Sequence, residues 1–216
     1  MMMSAVTRTC MRDCIRDTLV KRILDGTYPP GMQLKELPLA REFNVSQGPI
    51  REALRELEGT GLVTCERYRG THVRGTDIDE MRSSYELRAM IEARSIQRAA
   101  PLSESTLQLL ERHIDDLVAA ARRNDASSYL EAALRFHRAL VEAGGNTTFL
   151  KTWDALAWDV RSRIIVERRV SRGEDLLRFL DMYRELITHL RSGEVGAAIA
   201  LIENFLSRAA EVLNPA

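Results

Sequence analysis

The run Ser46-Gln47-Gly48-Pro49-Ile50-Arg51-Glu52-Ala53-Leu54-Arg55-Glu56-Leu57, followed by Gly61-Leu62-Val63, decides how the first part of this chain folds. Ile50, Ala53, Leu54 and Leu57 recur at i, i+3, i+4 and i+7, which predicts a short helix with one buried face. Ser46 stands where a helix cap is expected, and Pro49 falls within the first turn, where a missing N–H is tolerated. Gln47, Arg51 and Arg55 point to the other side. Amide and guanidinium groups in that position read base edges and phosphates, so this helix is a candidate for the major groove of DNA.

The segments around it complete a small domain. Residues 12–25 predict a helix with Ile15, Leu19, Ile23 and Leu24 on one face, closed by Gly26 and by Tyr28-Pro29-Pro30-Gly31. Met32-Gln33-Leu34 is a short extended piece, a brief helix follows from Pro38 to Phe43, and Asn44-Val45 makes a tight turn. After Gly61, residues 62–66 and 71–74 predict two strands around Arg67-Tyr68-Arg69-Gly70. That hairpin is a wing whose arginine-rich tip suits phosphates or the minor groove.

Composition sets the frame. The chain has 216 residues, 45% hydrophobic and 29% charged, an ordinary balance for a folded domain or two. No apolar run reaches membrane-spanning length, the first residues show no signal-peptide core, and a cytoplasmic protein is expected. Cys10, Cys14 and Cys65 are odd in number and complete no zinc set, so reduced thiols are expected. The formal charge is zero, with 31 Lys+Arg against 31 Asp+Glu. Residues 1–75 hold 12 against 9, which leaves 19 against 22 for residues 76–216. A mildly basic first domain therefore precedes a mildly acidic second one.

From residue 77 onward the pattern is helical. Apolar faces recur over 77–99, 103–122, 126–143, 148–170, 173–191 and 195–213. Breaks fall at Pro101, Asn124-Asp125, Gly144-Gly145-Asn146, Ser171-Arg172-Gly173 and Ser192-Gly193. The fold class is mainly α: an N-terminal winged helix-turn-helix over 1–75 and an antiparallel all-α bundle over 76–216.

Specific segments carry a resemblance. Asp25-Gly26-Thr27-Tyr28-Pro29-Pro30-Gly31, Leu39-Ala40-Arg41-Glu42-Phe43-Asn44-Val45-Ser46, Gly48-Pro49-Ile50-Arg51-Glu52-Ala53-Leu54 and Arg69-Gly70 resemble the DNA-binding domain of GntR-family bacterial regulators. The resemblance implies a DNA interface of Arg41, Ser46, Gln47, Gly48, Pro49, Arg51, Arg55, Arg67, Arg69 and Gly70. That family usually carries Arg where this chain has Gln47. Arg suits guanine and Gln suits adenine, so an altered operator base is expected opposite Gln47.

The second domain is similar to the FCD domain of the FadR-like branch of the same family. Tyr85-Glu86-Leu87-Arg88-Ala89-Met90-Ile91-Glu92, Arg135-Phe136-His137-Arg138-Ala139-Leu140, Gly145-Asn146 and Leu190-Arg191-Ser192-Gly193-Glu194 carry this likeness. Many members hold a divalent metal through one Asp and three His. Matched to that pattern, only His137 remains, with Ala133, Tyr183 and Phe205 at the other three positions. Those three are poor cation ligands, so no metal cofactor of the family type is expected. Losing the metal's charge and gaining aromatic surface points instead to a small organic effector with an apolar body and an acidic or other polar end, bound by Arg88, at a family pocket position, with His137, Asn146, Tyr183 and Phe205. A salt bridge from Arg88 to Glu92, one turn on, is the structural alternative for Arg88. A second reading leaves the aromatic rings filling a collapsed pocket, with a protein partner in place of a small effector.

The expected protein is a homodimeric transcriptional regulator on a pseudo-palindromic operator, one winged helix per half-site. No GxSxG, Gly-rich phosphate loop or HExxH motif is present, so an enzyme is not expected.

Overall fold

The computed structural model describes residues 5–213 apart from 25, 60, 67, 68, 75–77 and 157, with the backbone alone at 5–10, 24, 159, 160, 210 and 213. The chain forms two compact units, one up to residue 77 and one from Ile78 onward.

In the first unit α1 (Ala5–Leu24), β1 (Gln33–Leu34), α2 (Glu36–Glu42), α3 (Gln47–Gly59), β2 (Val63–Glu66) and β3 (Gly70–Val73) follow in order. The expected apolar face of α3 is the buried one: Ile50, Ala53, Leu54 and Leu57 pack with Ile15, Leu19 and Val20 of α1 in the core. Burying such a side chain gives about 1.5–3 kcal/mol each, which orients α3 firmly. Asn44 takes φ +52° between α2 and α3, a left-handed turn that Asn tolerates. The sheet has the order β1-β3-β2, all antiparallel, with Gln33 opposite His72 and Cys65 opposite Thr71.

The second unit comprises α4 (Ile78–Ala99), α5 (Glu104–Arg122), α6 (Ala126–Ala143), α7 (Thr147–Ala155), α8 (Trp158–Ser171), α9 (Leu180–Ser192) and α10 (Val195–Ala209). One-turn 3-10 segments lie at Leu176–Phe179 and Ala210–Leu213. Two helices expected from the sequence are divided. The 148–170 helix ends at Ala155 and restarts at Trp158, with Arg161 Nε donating to the carbonyl of Leu156 at 3.0 Å in place of a helical bond. The 173–191 helix begins as a 3-10 turn because the Asp175 carboxylate accepts the Leu177 N–H and starts a tighter coil. Gly144 shows why α6 comes close to α4: a Cβ there would lie 2.8 Å from the Ser95 Cα. The inward stripe of α4 runs Met81, Tyr85, Arg88, Ala89, Glu92 and Ile96, so two charged side chains lie in the core.

Candidate functional site

The first unit presents a solvent-facing surface built on α2 and α3. Arg41, Asn44, Ser46, Gln47, Gly48, Pro49 and Glu52 line one open groove there. Gln47, Arg51 and Arg55 are exposed while the opposite face of α3 is buried, as the periodicity required. Ser46 precedes α3 but, among the described residues, makes no capping hydrogen bond. The third helical position is Pro49, which has no N–H to give, so one of the two usual capping donors is absent and the Ser46 hydroxyl stays exposed.

Arg51 is held by Glu36 in a two-pronged pair, Nε to Oε1 at 2.8 Å and Nη2 to Oε2 at 2.6 Å. The hydrogen bond from Arg51 keeps the Glu36 carboxyl below its usual range. In the wing, Arg69 is exposed and pairs with Glu66 at 3.1 Å, while Gln33 Nε2 donates to the Arg69 carbonyl at 2.6 Å. Gly70 follows with φ +86°, and a Cβ there would press within 3.0 Å of the Gln33 amide. A glycine therefore lets Gln33 reach the turn. Arg67, the other expected wing contact, lies outside the described residues.

The second unit holds a buried polar network. Glu92 is fully buried and accepts from Arg88 Nε at 2.7 Å, from Trp153 Nε1 at 3.1 Å and from His137 Nδ1 at 2.7 Å. Arg88 Nη1 also donates to Ser162 Oγ at 3.1 Å, and that hydroxyl lies 3.1 Å from the Tyr85 hydroxyl. The guanidinium sits in an aromatic cage, 5.0 Å from the Trp158 ring and 5.6 Å from those of Trp153 and Tyr85. Burial opposes ionisation of Glu92, but the charge of His137 once it is protonated, the charge of Arg88 and the hydrogen bonds from both outweigh it, lowering its pKa to about 2. His137 is pushed down by burial, against the pull of Glu92, and burial holds the Tyr183 hydroxyl protonated. A neutral His137 then donates through Nδ1 to Glu92 and accepts at Nε2 from Tyr183, 3.3 Å away.

This network borders a cavity of about 60 Å³ lined by Arg88, Ala133, His137, Tyr183 and Phe205, together with Tyr85, Tyr129, Ser162, Arg169 and Phe179. Four of the five expected effector residues thus converge. His137 stacks on Phe205 with centroids 6.1 Å apart and meets the Tyr183 ring edge-on. Asn146 does not join them: its side chain caps α7, accepting from Thr148 N at 2.9 Å and Phe149 N at 3.2 Å. The turn it braces is the helix start itself, away from the cavity lining. The Arg88–Glu92 salt bridge is formed, leaving Nη2 as the guanidinium nitrogen without a hydrogen bond among the described residues.

The donor set does not fit the family metal. His137 and Glu92 are two donors already satisfied by each other, with the Arg88 cation beside them. Among the described residues no group of three or more His, Cys, Asp or Glu side chains is placed to hold a metal ion. His189 instead pairs with Glu194 at 2.6 Å on the surface.

Sequence reasoning treated Glu92 only as a partner for Arg88 and missed it as the hub. Its signal was position: a carboxylate in the i, i+3, i+4, i+7 stripe with Tyr85, Arg88, Ala89 and Ile96 is one the fold must bury. Ser162, Tyr129 and Arg169 had no such marker.

A winged helix with an exposed polar recognition face, joined in sequence to a helical unit with a polar-lined cavity, defines the class of DNA-binding regulators with a sensing domain. The comparisons agree. Residues 12–73 match the family described as bacterial regulatory proteins, gntR family, and residues 83–208 match the FCD domain. The chain belongs to the GntR family, in its FCD-containing, FadR-like branch: it is a DNA-binding transcriptional regulator and not an enzyme.

Among its relatives, the HTH-type transcriptional repressor RspR of Escherichia coli is 31% identical over 78% of this chain and 75% of its own. The "Probable D-xylose utilization operon transcriptional repressor" of Paenarthrobacter nicotinovorans is 29% identical over 88% and 82%. The gluconate operon transcriptional repressor of Bacillus subtilis is 26% identical over 85% and 77%. A GntR regulator from Rhodococcus sp. RHA1 shares the fold with a TM-score of 0.67 at 24% identity, covering 94% of this chain and 97% of that one. Among the described residues no helix is long and apolar enough to cross a membrane.

Proposed function

We propose that the chain is a cytoplasmic, homodimeric repressor whose helical unit senses a small organic acid of the sugar-acid type without a metal. The observation that carries this reading is the convergence of Arg88, His137, Tyr183 and Phe205 on one cavity, with Ala133 in the same wall. Relatives named for gluconate and D-xylose operons point to carbohydrate-derived effectors. Each winged helix reads one half of a pseudo-palindromic operator through Arg41, Ser46, Gln47, Gly48, Pro49, Arg51 and Arg55, with the wing supplying Arg67, Arg69 and Gly70. Effector binding shifts operator affinity by a coupling of about 1–3 kcal/mol.

The cavity's small volume favours a second reading. Ligand pockets run to roughly 300–1,000 Å³, so a cavity of about 60 Å³ either widens to admit an effector or is filled for good. Melting the full chain with gluconate, xylonate and related acids separates the two. A ligand-dependent rise that Ala133→Leu abolishes supports the effector. A panel with no response supports the collapsed pocket and action through a protein partner. Arg88→Ala is a poor probe, because Arg88 also holds Glu92 and the aromatic cage.

A further inference from the structure

The inner cavity adjoins a larger groove on the same helical unit. Arg169, Phe179 and Phe205 line both. The groove measures about 530 Å³, within the usual range for ligand sites, where the inner cavity is far below it. Four arginines line it, Arg169, Arg172, Arg178 and Arg208, against Glu174 and Glu211.

The charge there is local. Residues 76–216 are acidic overall, 19 basic against 22 acidic side chains, yet this wall carries an excess of two positive charges. Arg169 is taken by Glu174 at 3.1 Å and by the Phe179 ring at 4.0 Å. Arg178 and Arg208 are exposed and make no side-chain hydrogen bond or ion pair among the described residues. The helix dipole accounts for Arg208 and Arg169, which sit in last turns, but not for Arg178 in its 3-10 segment.

The inner cavity is the opposite case. Arg88 is already neutralised by Glu92, so an acid bound there gains hydrogen bonds but meets a second carboxylate on the same guanidinium. A strongly anionic ligand must place its charge elsewhere, and the arginine wall is the adjoining place. We infer that the outer groove is an anion subsite for a phosphate ester, holding the phosphate of a phosphorylated sugar or sugar acid whose hydroxylated body reaches past Phe179 and Phe205 toward the inner cavity. A single exposed ion pair contributes little, but a phosphate dianion engages several guanidinium forks at once. Asn204, in the same wall, offers an amide to the hydroxylated part.

This inference rests on reading the helical unit as an effector domain, and the test separates the two. The full chain is titrated by calorimetry with gluconate, 6-phosphogluconate and inorganic phosphate, alongside an Arg178→Gln/Arg208→Gln double variant. The expected result is 6-phosphogluconate binding about tenfold or more tightly than gluconate, with most of that gain lost in the double variant and gluconate affinity kept within about twofold. Inorganic phosphate alone binds weakly and loses affinity in the same variant. An unliganded melting temperature within about 2 °C of the parent's checks the variant's fold. Equal affinity for the two acids, or a phosphate gain that survives the double substitution, overturns the groove and leaves the effector reading standing. Failure of both acids to bind the parent chain overturns both.

Discussion

Two arginine–glutamate pairs, one in each unit, do opposite things: Glu36 takes two hydrogen bonds from Arg51, and Glu92 takes one from Arg88. Arg51–Glu36 has side chains 53% and 31% exposed, whereas those of Arg88–Glu92 are 3% and 0% exposed. The first sits in water, where an ion pair is worth roughly 0–1 kcal/mol, so a DNA phosphate can take the place of the carboxylate. The second is out of water, where losing one partner strands a buried charge. The exposed guanidinium on α3 is exchangeable; the one beside the cavity is part of the frame.

The largest effect expected from this contrast is on stability. Glu92→Gln leaves Arg88 buried without a counter-charge and should destabilise the helical unit by about 3–5 kcal/mol, while Arg51→Ala should change stability by less than about 1 kcal/mol. Both tryptophans, Trp153 and Trp158, lie in the helical unit, so fluorescence-detected urea unfolding reports that unit. Equal, small losses for the two variants would break the distinction.

Acid sharpens it. Glu92 falls from an ordinary 4.5 to about 2, so the folded state binds this proton less readily than the unfolded chain. Its contribution is therefore present above pH 4.5 and is lost as pH drops toward 2, on the order of 3 kcal/mol in all. His137, also depressed, acts in the same direction from pH 6.5 downward, since unfolding allows it to take up a proton. The melting temperature of the helical unit should fall with pH in both ranges. In Glu92→Gln the lower range should flatten, and an unchanged slope there would remove Glu92 as its source.

The contrast also explains what was legible in the sequence. The α3 stripe of Ile50, Ala53, Leu54 and Leu57 declares itself because a helix on a small core has one apolar face and one wet face. Side chains on the wet face, Gln47 and Arg51 among them, can be assigned by subtraction. The cavity was legible only through the family pattern, which led to Ala133, His137, Tyr183 and Phe205. Part of the remaining lining, Ser162, Arg169 and Phe179 among it, comes from α8 and the 3-10 turn, where the helices expected at 148–170 and 173–191 are broken. Side-chain hydrogen bonds to the backbone mark those breaks, Arg161 to the Leu156 carbonyl and Leu177 N–H to the Asp175 carboxylate, and the apolar spacing announces neither. Glu36 went unnoticed because its partner lies 15 residues away across the helix-turn-helix.

At the level of base recognition the expected effect is smaller and concerns specificity. Gln47 is exposed at the start of α3, beside Gly48 in the groove that also contains Arg41. Exchanging an adenine-preferring amide for a guanine-preferring guanidinium redistributes about 1–3 kcal/mol at one base pair. Operator selection from random DNA should show Gln47→Arg preferring guanine at one symmetric position per half-site, with overall affinity less altered. Identical preferred sequences would mean that Gln47 faces no base.

The smallest expected effect tests exchange directly. If Arg51 leaves Glu36 for a phosphate, the carboxylate competes with DNA and repels it. Glu36→Gln keeps the shape of the side chain and its place in the first turn of α2, and removes the charge. Stability should then change by less than about 1 kcal/mol, the range for an exposed pair. Operator affinity should rise about two- to fivefold at low salt, with the gain shrinking as salt screens the removed repulsion. The alternative outcome is equally informative. A tenfold loss of affinity would show that Glu36 aims Arg51 at the duplex, and that the exposed pair, like the buried one, is held as a fixed part of its surface.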